Sequence, residues 1–279
     1  MMKQVHELPT ILTSFAYREE YFAEMEGMLV TAREHHPNWL IVAGRGPVPG
    51  FDLPTLEVES PSGKCQWSLP VRIDLDGTDG DWRRICMMKA WWVEQVWNNF
   101  GDLIKDRNRV LWSDADNRFN GPLDIALEPD GDVIAGADWY HANTIAAGLL
   151  LFQGSRRGAV ERIIAQWSAK CLGQIQNLPA GTKGWAEGDT EIFSEILLSN
   201  PDSSGEYTLI KLDKEKYVGY PTDENDKRVA KALVDHWCMS GRMESSDRHH
   251  LNWPPPEEFR QNAEVGEPVP NVNWTPEDY

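Results

Sequence analysis

Apolar and polar positions divide the first part of the chain into a strand, a helix and a second strand. The run LPTILTSFAY predicts a buried strand over residues 8–17, and WLIVAG predicts another over 39–44. Between them, apolar residues recur at helical spacing from Tyr21 to Ala32. This order is typical of a parallel sheet with a right-handed crossover, in which ligands bind beyond the carboxyl ends of the strands.

The middle of the chain continues with alternating elements. Weak alternation over residues 52–80 predicts loops and edge strands, and a helix is expected from Trp82 to Phe100. Short apolar segments predict strands in RVLWSDAD, DVIAGAD and AAGLLLF, and a helix follows in AVERIIAQWSAKCLGQI. A Gly-rich loop, PAGTKGWAEGD, leads into the last helix, TEIFSEILLS, and either Asp189 or Thr190 is well placed to cap it.

The C-terminal part is less regular. Within KRVAKALVDHWCMSGR, residues 233–236 fit a helix and a strand equally well, and beyond Asn252 the chain is rich in Pro, Glu and Asn. We therefore expect an α/β fold with a mixed sheet flanked by helices. It comprises a single domain over residues 1–251 and an extended Pro-rich tail over residues 252–279.

Composition excludes several classes of protein. Of 279 residues, 41% are hydrophobic, which is enough for a large core and excludes a disordered chain. Thirteen tryptophans suggest aromatic-lined clefts. A formal charge of -17 argues against broad binding to nucleic acid or to an anionic membrane, although a local basic groove stays open.

The cysteines and the apolar runs bear on location. The four cysteines are widely spaced, form no paired-cysteine motif and are expected to be buried thiols. With no charged and apolar leader at the N-terminus, they favour a reduced, cytoplasmic compartment. No run of about 18 apolar residues occurs, so no membrane span is expected.

Two aspartates, Asp114 and Asp116, follow the apolar run from Val110 to Trp112. In extended backbone, residues two apart point to the same side, so both carboxylates can face one site. Two like charges held close cost free energy unless a cation is present, and Mg²⁺ or Mn²⁺ commonly binds one or two carboxylates together with substrate phosphates. The pair predicts a cation site that holds a diphosphate; the simpler alternative is a turn or a helix cap.

Two other classes share this motif. An EF-hand loop fails because its fifth and sixth positions are Arg118 and Phe119. The strand followed by Asp-x-Asp also resembles a haloacid dehalogenase-type phosphatase, with Gly188 and Asp189 as its later acidic motif. Arg118 and Phe193 depart from that pattern, so the phosphatase remains the second hypothesis.

Four segments in order resemble the GT-A fold of nucleotide-sugar glycosyltransferases: RVLWSDAD, AAGLLLF, GWAEGDTEIF and LVDHWCMSGR. The resemblance extends from about Pro9 to Arg242. It implies a GT-A-like, Rossmann-like sheet and an enzyme that moves a sugar from a nucleotide-diphosphate donor, most simply a UDP-sugar, to a hydroxyl acceptor, with Mn²⁺ or Mg²⁺. Ala146 and Ala147 depart from the family, which commonly has Asn before the Gly of this segment.

The resemblance assigns roles to individual residues. It implies that Asp116 binds the metal, that Asp114 contacts the metal or the donor ribose, and that His236 is a third ligand. It implies that Asp189, with Glu187 and Glu191 as rivals, is the carboxylate beneath the reacting sugar. Donor contacts are implied for Thr13, Ser14, Phe15, Tyr17, Lys89, Asp114, Gly148 and Arg242.

Simpler roles remain open for these residues. A lone histidine is often structural, a helical lysine such as Lys89 is usually solvated, Phe15 suits a core, and Asp189 suits an N-cap. The acceptor is also open: a protein, a small metabolite, a glycan or lipid-linked precursor, or a hydroxymethylated base of DNA as in phage enzymes, which the acidic charge disfavours. A non-catalytic module that binds sugar nucleotides or glycans is the alternative outside catalysis.

Overall fold

The computed structural model describes residues 10–18, 21–72, 79–103, 108–123, 131–137, 145–154, 158–177, 188–198, 207–213, 216–219 and 231–236. The predicted tail over 252–279 lies outside the described residues, as do Glu187 and Arg242.

The described ranges contain eleven strands and four α-helices. The strands are β1 (Ile11–Tyr17), β2 (Leu40–Gly46), β3 (Thr55–Ser60), β4 (Gly63–Ser68), β5 (Asn108–Ser113), β6 (Asn117–Phe119), β7 (Val133–Ala137), β8 (Ile145–Gly154), β9 (Leu209–Leu212), β10 (Val218–Gly219) and β11 (Val234–His236). The helices are α1 (Phe22–His35), α2 (Asp79–Phe100), α3 (Ala159–Asn177) and α4 (Asp189–Leu198), and a 3-10 turn (Gly101–Leu103) follows α2.

The main sheet has eight strands in the order β4-β3-β2-β1-β5-β8-β7-β9. Strand β1 is parallel to β2 and to β5, with α1 as the crossover to β2, as the strand-helix-strand pattern predicts. Strand β8 is antiparallel to β5 and to β7, which makes the sheet mixed. The predicted α/β class, a mixed sheet flanked by helices, is confirmed.

A hydrophobic core lies on each face of this sheet. One core joins the sheet to α2, α3 and α4 and contains Phe15, Trp92 and Trp112. The other joins it to α1 and contains Leu12 and Leu111. Alternate residues of β1 and β5 enter opposite cores, which explains why both strands read as almost continuous apolar runs.

A second, three-stranded sheet has the order β10-β11-β6. Strand β11 is antiparallel to β6, and His236 is the register partner of Asn117. Residues 234–236 are therefore a strand, which resolves the ambiguity between helix and strand in the sequence. Because β6 begins at Asn117, this sheet brings the distant His236 beside the aspartate pair.

The tryptophans of the described ranges mainly build the cores rather than line clefts. Trp92, Trp97 and Trp167 are fully buried. Their indole N–H groups donate to Thr13 Oγ1, Glu161 Oε2 and the carbonyl of residue 189. Their size and their single donor thus serve packing and cross-linking of elements.

The cysteines differ from the expectation of four buried thiols. Cys171 is buried in α3, whereas Cys86 is half-buried and Cys65 is exposed on the edge strand β4, so the expectation is wrong for Cys65. Cys238 lies outside the described residues. Of the helices within the described ranges, none combines the length and apolar character needed to cross a membrane.

Candidate metal centre and adjoining carboxylate

A tight turn brings Asp114 and Asp116 together. Strand β5 ends at Ser113, and the N–H of Asn117 donates to the carbonyl of Asp114 across 3.2 Å. The N–H of Asp114 donates to the carbonyl of Gly148 on β8 across 2.9 Å, which fixes the start of the turn. The expected proximity is present, but extended backbone is the wrong reason for it: the chain has already left the strand.

His236 completes a group of three metal-ligand side chains. Its Nε2 lies 3.3 Å from Asp116 Oδ1 and 3.6 Å from Asp114 Oδ2. One ligand atom of each side chain lies within 4.8 Å of those of the other two. The structure therefore brings together the three predicted ligands, although His236 lies more than a hundred residues after the aspartate pair in the sequence. Two carboxylates and an imidazole form a donor set that suits Mn²⁺ and accommodates Mg²⁺.

Gly148 leaves the space that the imidazole occupies. A Cβ at this position would lie 2.4 Å from Cε1 and 2.6 Å from Nδ1 of His236, and 3.3 Å from Asp114 Oδ2. Real Cβ atoms essentially never lie within 3.0 Å of a non-bonded heavy atom, so any side chain here would displace the histidine. The structure gives Gly148 this role, and its predicted contact with the donor stays a prediction.

Asn117 is a buried residue of the site that the sequence reasoning missed. Its Nδ2 donates to Ser113 Oγ and to the carbonyl of Gly148, each at 2.9 Å. These bonds tie the turn to both β5 and β8. The only sequence signal is a polar residue directly after the aspartate pair.

Lys89 is buried between two acidic side chains. Its Nζ lies 2.9 Å from Asp114 Oδ1 and 2.8 Å from Asp189 Oδ2, and it donates to the carbonyl of Ala147 across 3.0 Å. Only 6% of Lys89 is exposed, so a solvated helical lysine is the wrong description. Burial alone lowers the pKa of Lys89, but Asp114 and Asp189 outweigh it and raise the pKa above its ordinary value.

Asp189 begins helix α4 and does not cap it. Gly188 precedes the helix, and its N–H donates to Glu191 Oε2 across 2.9 Å, the backward arm of a capping box. The prediction of Asp189 or Thr190 as the cap is therefore wrong, because Gly188 occupies that position. The carboxylate of Asp189 faces Lys89 instead, and Glu191 is engaged at the helix start.

The site carries excess negative charge. Asp114, Asp116 and Asp189 provide three carboxylates and Lys89 one ammonium, which leaves two negative charges when His236 is neutral. The thiol of Cys86, one turn before Lys89 on α2, responds to this field: burial, and then Asp189, raise its pKa well above the ordinary value. A divalent cation matches the unbalanced charge.

Two residues at the middle of β1 lie in the core. Thr13 is completely buried, and its hydroxyl donates to the carbonyl of Val42 at 2.8 Å and accepts from Trp92 Nε1 at 2.7 Å. Ser14 is also completely buried. Their predicted contacts with the nucleotide base stay predictions.

The end of β1 lies nearer the site. Phe15 packs against Trp112 with ring centroids 5.6 Å apart, and Trp112 Nε1 donates to Asp114 Oδ1 across 2.8 Å. The ring centroid of Trp112 also lies 5.4 Å from Lys89 Nζ. Trp112 is thus a second residue of the site that sequence reasoning missed. Tyr17 ends the strand and is 3% exposed. One aromatic ring thus separates Phe15 from the carboxylate of Asp114.

Comparison with solved structures finds glycosyltransferases at low sequence identity. One acts in glycosylation of the major capsid of PBCV-1, at 15% identity and a TM-score of 0.49, over 92% of this chain and 100% of the other. The galactosyltransferase LgtC, in complex with donor and acceptor sugar analogs, matches at 11% identity and a TM-score of 0.44, over 95% and 98%. The glycosyltransferase GlyE of Streptococcus pneumoniae TIGR4 matches at 12% identity and a TM-score of 0.40, over 75% of this chain and 46% of the other.

No protein-family model matches the chain, and no curated protein matches it.

Proposed function

We propose that this protein is a metal-dependent glycosyltransferase of the GT-A type, which moves a sugar from a nucleotide-diphosphate donor to a hydroxyl acceptor. The observation that carries the proposal is the group Asp114, Asp116 and His236, whose ligand atoms lie within 4.8 Å of one another. A third carboxylate, that of Asp189, contacts the same Lys89 ammonium group as Asp114 does. A cation site beside a separate carboxylate is what this reaction requires.

Asp114, Asp116 and His236 would hold Mn²⁺ or Mg²⁺. Asp114 Oδ1 is engaged by Lys89 and by Trp112, while Oδ2 is turned toward His236 Nε2 at 3.6 Å. Because Oδ1 is already occupied by these two contacts, Oδ2 is the oxygen of Asp114 that would bind the ion. A bound divalent cation would neutralise the charge that develops on the departing nucleoside diphosphate.

Lys89 holds two carboxylates in fixed positions. Its contacts with Asp114, Asp189 and the carbonyl of Ala147 use the three donors of an ammonium group. Asp189 is thereby kept at a constant place relative to the metal ligands. We propose that Asp189 is the carboxylate beneath the reacting sugar. It would take the acceptor's proton if the configuration at the sugar is inverted, or stabilise positive charge on the sugar if the configuration is retained. Glu187 and Glu191 remain rivals for this role.

The proposal extends to the donor and to the acceptor. The base of a UDP-sugar is assigned to the carboxyl end of β1, near Tyr17, by the general rule for open sheets, and Arg242 to the diphosphate. The acceptor is a hydroxyl of a protein, a small metabolite, a glycan or lipid-linked precursor, or a hydroxymethylated DNA base.

A panel of nucleotide sugars tests the proposal. We expect one donor with Mn²⁺ to raise the Tm and to be hydrolysed slowly without acceptor. Asp116→Ala should abolish both effects, whereas Asp52→Ala, which removes an exposed aspartate, should preserve them.

Other outcomes favour other functions. Release of phosphate from aryl phosphates with no effect of any donor would favour the phosphatase. Donor binding without turnover on any acceptor would favour a binding module. No effect of metal or of any donor would reject the proposal.

A further inference from the structure

The turn that carries the proposed metal ligands lies on helix α1. Strand β6 follows the turn directly and pairs with β11 over only three residues, Asn117–Phe119. A pairing of three residues is marginal by itself. Yet this pairing sets the position of His236 relative to Asp116, so other contacts must hold the segment in place.

Arg118 makes several polar contacts between this segment and α1, beside the apolar packing of Phe119 on the same helix. Its Nη2 forms an ion pair with Glu24 Oε2. Its Nη1 donates to the main-chain carbonyl of Glu24 at 3.1 Å and to the carbonyl of Asn117 at 2.7 Å. The two side chains are 25% and 23% exposed, so the pair is largely withdrawn from solvent. The guanidinium thus joins the turn to the helix through charge and through two backbone groups.

Gly27 provides the surface on which the guanidinium lies. A Cβ at Gly27 would be 2.9 Å from Nη2, 3.0 Å from Cζ and 3.2 Å from Nε of Arg118. A planar guanidinium fits against this bare stretch of helix, and a lysine ammonium cannot make the same forked contacts. Glycine in a helix interior costs about 0.5–1 kcal/mol relative to alanine, so its presence in α1 calls for a packing reason.

Two further bonds continue the same attachment along α1. The N–H of Phe119 donates to Thr31 Oγ1 across 3.1 Å. The N–H of Leu123 donates to Nε2 of His36, which directly follows the helix, across 3.0 Å. Glu24, Thr31 and His36 therefore meet the segment 118–123 in sequence order, from one end of the helix to the other.

We propose that Arg118 is a positioning residue that fixes the Asp114–Asn117 turn on α1 through Glu24 and Gly27, and thereby fixes the spacing of Asp116 and His236. The consequence for metal binding rests on the proposed function. Glu24 balances the positive charge of Arg118. Arg118 can therefore position the turn without neutralising the carboxylates of the proposed ligands.

Amide hydrogen exchange without metal tests the attachment itself. Arg118→Met keeps an apolar stem and removes the fork. We expect faster exchange in residues 114–119 and 234–236 and little change in α3. Lys170→Met is the matched control, since it breaks an exposed ion pair with Glu195 elsewhere on the molecule. Unchanged exchange in 114–119, or a uniform rise over the whole chain, would overturn the proposal.

A Mn²⁺ titration followed by Tm tests the consequence. We expect Arg118→Met to raise the half-saturating Mn²⁺ concentration about 10- to 100-fold, the usual effect of losing a group that orients metal ligands. Glu24→Gln, which preserves the stem of Glu24, should act in the same direction, and the double variant should be less than additive. A half-saturating concentration equal to that of the wild type in both single variants would overturn the link to the metal.

The two measurements separate the two claims. If Mn²⁺ does not change the Tm of the wild-type protein, the proposed metal function is rejected. The exchange result then tests only whether Arg118 attaches the turn to α1.

Discussion

The imidazole of His236 occupies the space where a side chain at Gly148 would lie. A Cβ on Gly148 would come within 2.4 Å of Cε1 of His236. Gly148 belongs to β8 of the main sheet and His236 to β11 of the small sheet, so this is a contact between the two sheets. The glycine thus permits the approach on which the proposed metal site depends.

Gly148→Ala should weaken Mn²⁺ binding with little effect on the rest of the fold. The added methyl group forces His236 away from Asp116, while the cores on both faces of the sheet are untouched. We expect the half-saturating Mn²⁺ concentration in a thermal-shift titration to rise about tenfold or more, as for other changes that misplace a ligand.

Gly173→Ala is the matched control for this variant. Gly173 lies in α3, and a Cβ there meets nothing within 4 Å. Alanine should stabilise the helix by up to about 1 kcal/mol and leave Mn²⁺ binding unchanged. Equal Mn²⁺ affinity in Gly148→Ala and in the wild type would show that His236 is not a ligand.

Lys89→Met should destabilise the fold strongly. It leaves Asp114 and Asp189 without the ammonium that lies 2.9 and 2.8 Å from them. Breaking a buried ion pair from one side costs about 3–5 kcal/mol, because an uncompensated charge remains. Urea unfolding measures the loss, with Lys64→Met as the control.

Lys64 of β4 pairs with Glu57 of β3, and their side chains are 63% and 46% exposed. Loss of such a pair costs at most about 1 kcal/mol. Similar losses for Lys89→Met and Lys64→Met would mean that the Lys89 cluster is solvated rather than buried. If Lys89→Met fails to fold, Lys89→Arg, which retains the charge, should recover part of the stability.

Much of the fold follows from local patterns in the sequence. The apolar run before Asp114 predicts β5, and the helical spacing after Tyr21 predicts α1. Both elements leave a periodic apolar pattern within one segment, so they can be predicted without knowing which segments pack against them. The small sheet is different: residues 234–236 are ambiguous alone and become a strand because β6, more than a hundred residues earlier, pairs with them.

The site shows the same limit. A lysine on a helix is usually solvated, and Lys89 is buried only because Asp114 and Asp189 converge on it from two other elements. Likewise Asp189 looks like a cap, yet the capping position falls to Gly188 with Glu191. Such roles depend on contacts between residues that are distant in the sequence, so local propensity cannot predict them.

The thiol of Cys171 should be unreactive in the folded protein. Burial, and then Asp189, raise its pKa above the ordinary value of 9.0. Since alkylation requires the thiolate, iodoacetamide at pH 8–9 should label the exposed Cys65 and leave Cys171 unlabelled until urea is added. Peptide mapping by mass spectrometry measures the difference, and equal labelling of both would contradict the burial of Cys171.

The same shift has a consequence for stability at alkaline pH. A raised pKa in the folded state means that the unfolded thiol ionises first, near its ordinary value of 9.0. The contribution of Cys171 is therefore complete below about pH 9 and declines as the pH rises above it. Cys171→Ala should flatten the fall in the free energy of unfolding between about pH 9 and pH 10.5, and a wild-type slope in this variant would contradict the assignment.

The most direct test of a metal-dependent transferase is Mn²⁺ binding measured by electron paramagnetic resonance, in the presence of UDP. The wild-type protein and Asp52→Asn should each bind one Mn²⁺ per chain, and with Asp116→Asn the ion should stay unbound by the protein, as it is in a solution of Mn²⁺ and UDP alone. Binding by Asp116→Asn with the affinity of the wild type, or no binding by the wild type, would contradict the proposed site.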